Sequence, residues 1–157
     1  MFFRDNEKAV QTKHADAVGY QRPDYLELRR IITRLSPGEQ DVVYDLGSGK
    51  GRVVCLFARR PVKRCIGVEF GRPLCDIAAR NANSLRGKKA RIDIVCEDAA
   101  TADLNEGTIY FLYNPFGEQT LRDVLVNLQH SLETAPRQVR LVYLHDRHAH
   151  VFAERWL

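Results

Sequence analysis

Three glycines spaced two apart, Gly47, Gly49 and Gly51, stand directly behind an apolar run that ends in Asp45, within the stretch VVYDLGSGKGRVV. This spacing lets a backbone turn tightly and approach a ligand while the following helix aims its N-terminus at the turn. Nucleotide-like ligands are what such loops hold. A P-loop is excluded, because Lys50 is followed by Gly51 and Arg52, which leaves no hydroxyl for magnesium. A dinucleotide fingerprint requires Gly-x-Gly-x-x-Gly, and here the third glycine comes one residue early. A nicotinamide oxidoreductase therefore stays open only as an adapted case.

Acids further along narrow the choice. Glu69 lies 24 positions after Asp45, at the end of the next apolar run. A carboxylate there can accept hydrogen bonds from both hydroxyls of a ribose that carries no 2′-phosphate. Asp98 ends the following run, where it can accept from an exocyclic adenine amine, and Phe70 offers an apolar face to the ring. Taken singly, each acid reads equally well as a solvated strand end; together they point to a nucleoside. Asn114, Pro115 and Phe116 close the most continuous apolar stretch, at the end of the fourth strand signal. His145, His148 and His150 share one short stretch with no fourth ligand in view, so no metal site is expected. His145 or Asp146 is a candidate proton acceptor on the ligand side of the sheet, or else plain solvated surface.

These residues need a scaffold that gathers them. Asp24 suits the N-cap of a helix in which Tyr25, Leu28, Ile32 and Leu35 recur at helical spacing. Strand and helix signals alternate from there. Apolar runs at DVVYDLG, RCIGVEF, ARIDIVCED, GTIYFLYNPFG and RQVRLVYLH are interleaved with helical stripes. One stripe holds Val54, Phe57 and Ala58; one runs from Leu74 to Leu85 and is closed by Gly87; one runs from Leu121 to Leu132. Five strands with intervening helices predict an α/β fold, a single doubly wound, mainly parallel five-stranded sheet built by right-handed crossovers. Ligands of such sheets bind beyond the carboxyl ends of the strands, where strand order reverses. Every candidate residue follows a strand end. Residues 1–22 show weak periodicity and are expected to form a lid-like or loosely packed lead-in to a domain over residues 23–157.

In this order and at these separations, VVYDLGSGKGRVV, IGVEF, CEDA and YFLYNPFG resemble the class I S-adenosylmethionine-dependent methyltransferases, over roughly residues 20–145. Within them, DLGSGKGR behind a Tyr-containing loop and helix is most similar to the protein-lysine branch, the small relatives of the non-SET histone lysine methyltransferases. The resemblance implies S-adenosylmethionine as cofactor and S-adenosylhomocysteine as product. It places Asp45, Gly47, Ser48, Gly49 and Gly51 around the methionine end, Glu69 on the ribose, and Asp98 with the Ala99 backbone on adenine. Tyr20 would make the N-terminal contact, in Tyr20-Gln21-Arg22-Pro23-Asp24-Tyr25 where relatives carry Tyr-x-Pro-Thr-Pro-Tyr. Asn114, Pro115 and Phe116 become the catalytic segment, by partial similarity to the Asn/Asp-Pro-Pro-Tyr signature of enzymes that methylate planar amino groups.

The implied reaction is in-line displacement of a sulfonium methyl by a nucleophilic nitrogen, foremost a protein lysine. An apolar mouth of Tyr113, Phe116 and Tyr20 would help that lysine lose its proton. Transfer to a small molecule or nucleic acid, and a sensor that binds the cofactor without transferring a methyl, stay open as alternatives. Such enzymes usually continue with two more strands beside the fifth, which are lacking here. RQVRLVYLH is therefore expected to expose an edge, met by a homodimer, a swapped element or a longer parent chain.

Composition sets the outer bounds. A chain of 157 residues, 45% of them hydrophobic, suits one core. Its 24 Lys and Arg are interleaved with 20 Asp and Glu, for a net charge of +4. The nearest approaches to a nucleic-acid footprint are Arg59, Arg60, Lys63 and Arg64, then Arg86, Lys88, Lys89 and Arg91. Both clusters flank predicted turns and read as surface charge, which argues against a nucleic-acid partner. With no apolar leader and no run of transmembrane length, the expected setting is the cytoplasm, away from membranes. Cys55, Cys65, Cys75 and Cys96 show no C-x-x-C pair and fall in apolar segments, so they are expected to be buried thiols, with neither a zinc site nor a disulfide.

Overall fold

The computed structural model describes residues 24–113, 115–145 and 147–156. The elements are α1 (Tyr25–Leu35), β1 (Val42–Leu46), α2 (Arg52–Phe57), β2 (Arg64–Val68), α3 (Arg72–Ser84), β3 (Arg91–Val95), β4 (Ile109–Tyr113), α4 (Glu118–Thr134), β5 (Arg140–Leu144) and α5 (His150–Trp156). Asp24 caps α1 as its sequence suggests, accepting from the amides of Leu26 and Glu27 at 2.9 Å each. Ser36, left-handed at φ 44°, ends that helix ahead of Pro37.

All five strands run parallel, in the order β3-β2-β1-β4-β5. Strand order reverses between β1 and β4, which puts the switch point beside Asp45 and the glycine loop. β1 and β4 are covered on both faces. Val43, Ile109 and Phe111 pack with Leu28, Ile32 and Phe57 from α1 and α2. Tyr44, Leu46, Tyr110 and Leu112 pack with Leu121, Val124, Leu125 and Leu128 of α4 on the opposite face. This two-sided burial is why both strands read as continuous apolar runs rather than alternating ones. Arg137 fastens the turn into β5: its guanidinium donates to the carbonyls of Leu104, Gly107, Ser131 and Ala135 and to the Tyr110 hydroxyl.

Several local expectations need correcting. β2 and β3 stop at Val68 and Val95, so Glu69, Phe70, Glu97 and Asp98 occupy loops rather than strand ends proper. α3 ends at Ser84 with Leu85 extended, and Gly87, at φ 69°, turns the chain later instead of closing the helix. The tail after His145 carries the additional helix α5, held by buried Val151, by Phe152 against Tyr143 with ring centroids 5.0 Å apart, and by the Arg122–Glu154 ion pair.

Cys55 and Cys65 are buried free thiols, as expected, but Cys75 and Cys96 form a disulfide, contrary to the sequence reading. Sequence spacing could not reveal that the first turn of α3 lies beside the end of β3, with the two Cα atoms 5.8 Å apart. The two basic clusters also meet, because Lys89 and Ala90 donate their amides to the Ala58 carbonyl at 2.7 and 3.1 Å. They lie at the amino ends of the strands, away from the glycine loop, and Asp93 pairs with both Arg64 and Arg91 there. Among the described residues no helix is long and apolar enough to cross a membrane.

Candidate functional site

The glycine loop is pinned before any ligand is considered. The amides of Gly47 and Ser48 both donate to the Val68 carbonyl, at 2.8 and 3.0 Å, so the loop folds back over the end of β2. Gly47 has φ 81°, and a Cβ there would stand 2.3 Å from Cβ of Pro115. The absent side chain thus makes room for the segment after β4 as well as for a ligand. Gly51 caps α2 at φ 77° and faces Ala78 of α3, 3.2 Å from where its Cβ would be, so its role is helix packing.

Glu69 ties the pieces together. Its Oε2 accepts from the Gly49 amide at 2.9 Å and its Oε1 from the Gly71 amide at 2.8 Å. Burial raises its carboxyl above the usual range, against the opposing pull of the Gly71, Gly49 and Phe70 amides. Asp45, only 2% exposed, is pushed up to about 8, first by burial and then by the charge of Glu69. Asp45 Oδ2 and Ser48 Oγ are buried with no hydrogen-bond partner among the described residues. A ligand that brings positive charge and hydrogen-bonding groups to this loop would satisfy all of these at once.

A shallow cleft lies beyond the ends of β1, β2 and β3. Its wall brings together six of the residues singled out from sequence: Gly47, Glu69, Phe70, Asp98, Ala99 and Phe116. Asp45, Ser48, Gly49, Gly51 and Pro115 are not part of that wall. Tyr20, Asn114 and Asp146, with the whole of the 1–22 segment, lie outside the described residues.

Glu97, which stands beside Asp98 after the third strand, is also in the wall, and two further wall residues, Val68 and Thr120, escaped the sequence reading. Thr120 sits in the first turn of α4, so its position just after NPFG was the available signal. Asn127 was missed too. Its Nδ2 donates to the carbonyls of Ala99 and Ala102, at 3.1 and 2.9 Å, and so holds the turn that follows Asp98. One oxygen of Asp98 accepts from the Ala100 amide at 2.9 Å, which fixes that carboxylate locally.

At the ends of β4 and β5, the Tyr113 hydroxyl lies 2.7 Å from His145 Nε2, with ring centroids 4.6 Å apart. Burial, then the charges of Glu27 and Asp24, raises the Tyr113 phenol, which stays protonated at neutral pH. His148 and His150 gather instead around Glu118, at 4.0 and 3.3 Å. Among the described residues no group of three or more His, Cys, Asp or Glu side chains could hold a metal ion.

The fold is that of the Rossmann-like methyltransferases. An RNA methyltransferase from Salinibacter ruber, solved with S-adenosyl-L-homocysteine, superposes with a TM-score of 0.62 at 26% identity, covering 71% of each chain. The precorrin 8w decarboxylase of Methanobacterium thermoautotrophicum gives a TM-score of 0.68 at 18% identity, over 86% of this chain and 70% of that one, a likeness of fold alone. Residues 14–121 match the family described as histone methylation protein DOT1, and the chain belongs to that family. A protein-lysine N-methyltransferase from Saccharolobus islandicus is 30% identical over 87 residues, which are 55% of this chain and 53% of that relative. The chain thus spans about half the length of that relative.

Proposed function

We propose that this chain is an S-adenosylmethionine-dependent methyltransferase whose acceptor is a nucleophilic nitrogen, foremost a protein lysine. The observation that carries the reading is the buried acid pair at the switch point. Glu69 faces the cleft with both oxygens on loop amides, while Asp45 stands behind it with one oxygen unpartnered among the described residues. Such a pair suits a ligand with a cationic amino-acid end and a ribose. Asp45 and Ser48 would hold the amino-acid end, Glu69 the ribose hydroxyls, and Asp98 with the Ala99 backbone the adenine, against Phe70. S-adenosylmethionine, when bound, supplies a methyl group on positively charged sulfur.

The chain's own task is to position the acceptor and exclude water. Phe116, buried at the cleft wall, keeps that side apolar and favours the neutral, nucleophilic form of a lysine amine. Tyr113 and His145 together offer a hydrogen-bonded route for the proton it must lose. Asn114 and Pro115 are assigned to the acceptor side, with Asn114 orienting the amine through its side-chain carbonyl. Support for a lysine acceptor comes from the family and from the named activity of the Saccharolobus relative.

The test is release of S-adenosylhomocysteine in the presence of basic proteins, with mass mapping of methylated lysines. Asn114→Ala should leave S-adenosylmethionine affinity nearly intact while lowering turnover by orders of magnitude, the mark of an interaction made mainly in the transition state. Unchanged turnover would reduce Asn114 to a turn residue. An RNA acceptor is the second reading, favoured by the named activity of the Salinibacter neighbour and by the joined basic clusters. Those clusters lie at the far end of the strands from the cleft, so lysine leads; methylated RNA from the same assay would reverse the order.

A further inference from the structure

Cys75 and Cys96 stand close in sequence to two wall residues of the cleft, Glu69 and Glu97. Cys75 lies in the first turn of α3, six residues after Glu69; its amide donates to the Gly71 carbonyl at 3.0 Å, and its sulfur is 3.1 Å from the Glu69 carbonyl oxygen. Cys96 comes directly after β3 and directly before Glu97 and Asp98. The disulfide therefore links the turn assigned to the ribose with the turn assigned to adenine. β2 and β3 are already joined by backbone pairing along their full length, from Arg64–Arg91 to Val68–Val95. The bridge constrains what the pairing leaves out, the loops beyond the strand ends.

We propose that Cys75 and Cys96 form a thiol–disulfide exchange site that sets the affinity of the cleft for S-adenosylmethionine and its product, the oxidised form binding more tightly. This rests on the cofactor reading of the cleft. Cys75 is 4% exposed, whereas Cys96 is only partly buried, so exchange begins at Cys96. Its thiolate attacks one sulfur of a small disulfide such as oxidised glutathione, expelling one glutathione thiolate and leaving a mixed disulfide. The Cys75 thiolate then attacks the Cys96 sulfur and expels the second. The two protons given up by the cysteines are taken up by the two glutathione thiolates, so atoms and electrons balance.

In the reduced form the Cys75 thiol can donate to the Glu69 carbonyl beside it, so the ribose turn keeps a local partner. The Cys96 turn loses its tether. The adenine side then keeps only hydrogen bonds such as those of Asn127 to the Ala99 and Ala102 carbonyls, so a ligand must supply more of its ordering, which weakens binding. Linkage requires the converse: bound product makes the disulfide harder to reduce by the same factor.

The experiment equilibrates the whole chain in glutathione buffers of stepped redox ratio, with and without saturating S-adenosylhomocysteine. Alkylation and mass spectrometry then read the Cys75 and Cys96 dithiol fraction. S-adenosylhomocysteine is expected to shift the midpoint to more reducing potential by about 30 mV, corresponding to about tenfold tighter binding by the oxidised form. Calorimetry on the two forms should give that same factor, and Cys96→Ser should bind as the reduced form does, whatever the buffer. Equal affinity of the two forms, an unmoved midpoint, or thiols that stay reduced throughout would overturn the coupling alone. Failure of both forms to bind S-adenosylhomocysteine would instead remove the cofactor reading, and the coupling with it.

Discussion

The amide of Gly49 donates to Glu69 Oε2 at 2.9 Å, across 20 residues of sequence. The glycine loop after β1 and the acid after β2 are therefore one bonded unit, so a change in either is felt by the other. With the second oxygen on the Gly71 amide, the carboxylate also holds the turn into α3. A carboxylate has about four lone-pair sites, so the Gly49, Gly71 and Phe70 amides do not use all of them.

Glu69→Ala should accordingly weaken S-adenosylhomocysteine binding by more than the loss of one contact. Each charge-assisted bond removed is worth roughly 1.5–3 kcal/mol, and the loop loses its Gly49 tether as well. At least a tenfold rise in Kd, with a lower melting temperature, is expected by calorimetry and thermal melt. Glu69→Gln, which keeps the shape but loses the charge, should fall between. Equal affinity of wild type and both variants would end the ribose assignment.

Asp45 gives the ligand-free chain a characteristic pH dependence. Its carboxyl ionises near 3.8 when unfolded and at about 8 when folded. Between those values the folded chain holds one more proton than the unfolded chain at this site. The stability it confers is thus complete below the lower value and lost as pH rises through the upper, with a slope approaching ~1.4 kcal/mol per pH unit. Asp45→Asn should cancel this part of the slope, so the variant's stability advantage over wild type grows from pH 5 to pH 8 in urea melts. Parallel pH profiles for the two proteins would contradict the assignment.

Gly47→Ala tests whether the acceptor segment and the glycine loop share space. The backbone at φ 81° is strained for alanine, and the new Cβ would sit 2.3 Å from that of Pro115. A stability loss of roughly 1–3 kcal/mol is expected. Pro115→Ala leaves its own Cβ in place and should not relieve the clash, whereas Pro115→Gly removes it and should recover part of the loss. No recovery with glycine would mean that backbone strain alone governs Gly47.

Arg137→Ala should destabilise without touching the cleft. Its guanidinium serves carbonyls from the 104–107 turn and from the end of α4, together with the Tyr110 hydroxyl. Leaving such acceptors unsatisfied costs roughly 1–3 kcal/mol each where they are buried. The melting temperature should fall while S-adenosylhomocysteine affinity at low temperature stays unchanged; a parallel loss of affinity would tie this corner to the site.

Much of the fold was legible because the sheet is buried on both faces. DVVYDLG and GTIYFLYNPFG had to be continuous apolar runs, and Glu69 and Asp98 stood out because acids closed such runs. What stayed hidden depends on neighbours distant in sequence. Nothing local tells Cys75 that Cys96 is beside it, or Gly47 that Pro115 lies over it. Asn127 read as one more polar helix residue because its partners, the Ala99 and Ala102 carbonyls, come from another loop. α5 is a short helix of mixed polarity, seven residues that follow closely on His145 and His148 and are too few to show a stripe.

The cofactor cleft is tested most directly by titrating the chain with S-adenosylhomocysteine in a calorimeter, with NAD as the competing ligand class. One-to-one saturable binding of S-adenosylhomocysteine is expected, lost or much weakened in Glu69→Ala, with no saturable binding of NAD. Saturable binding of NAD in its place, or no binding of either by the folded chain, would contradict the cofactor reading.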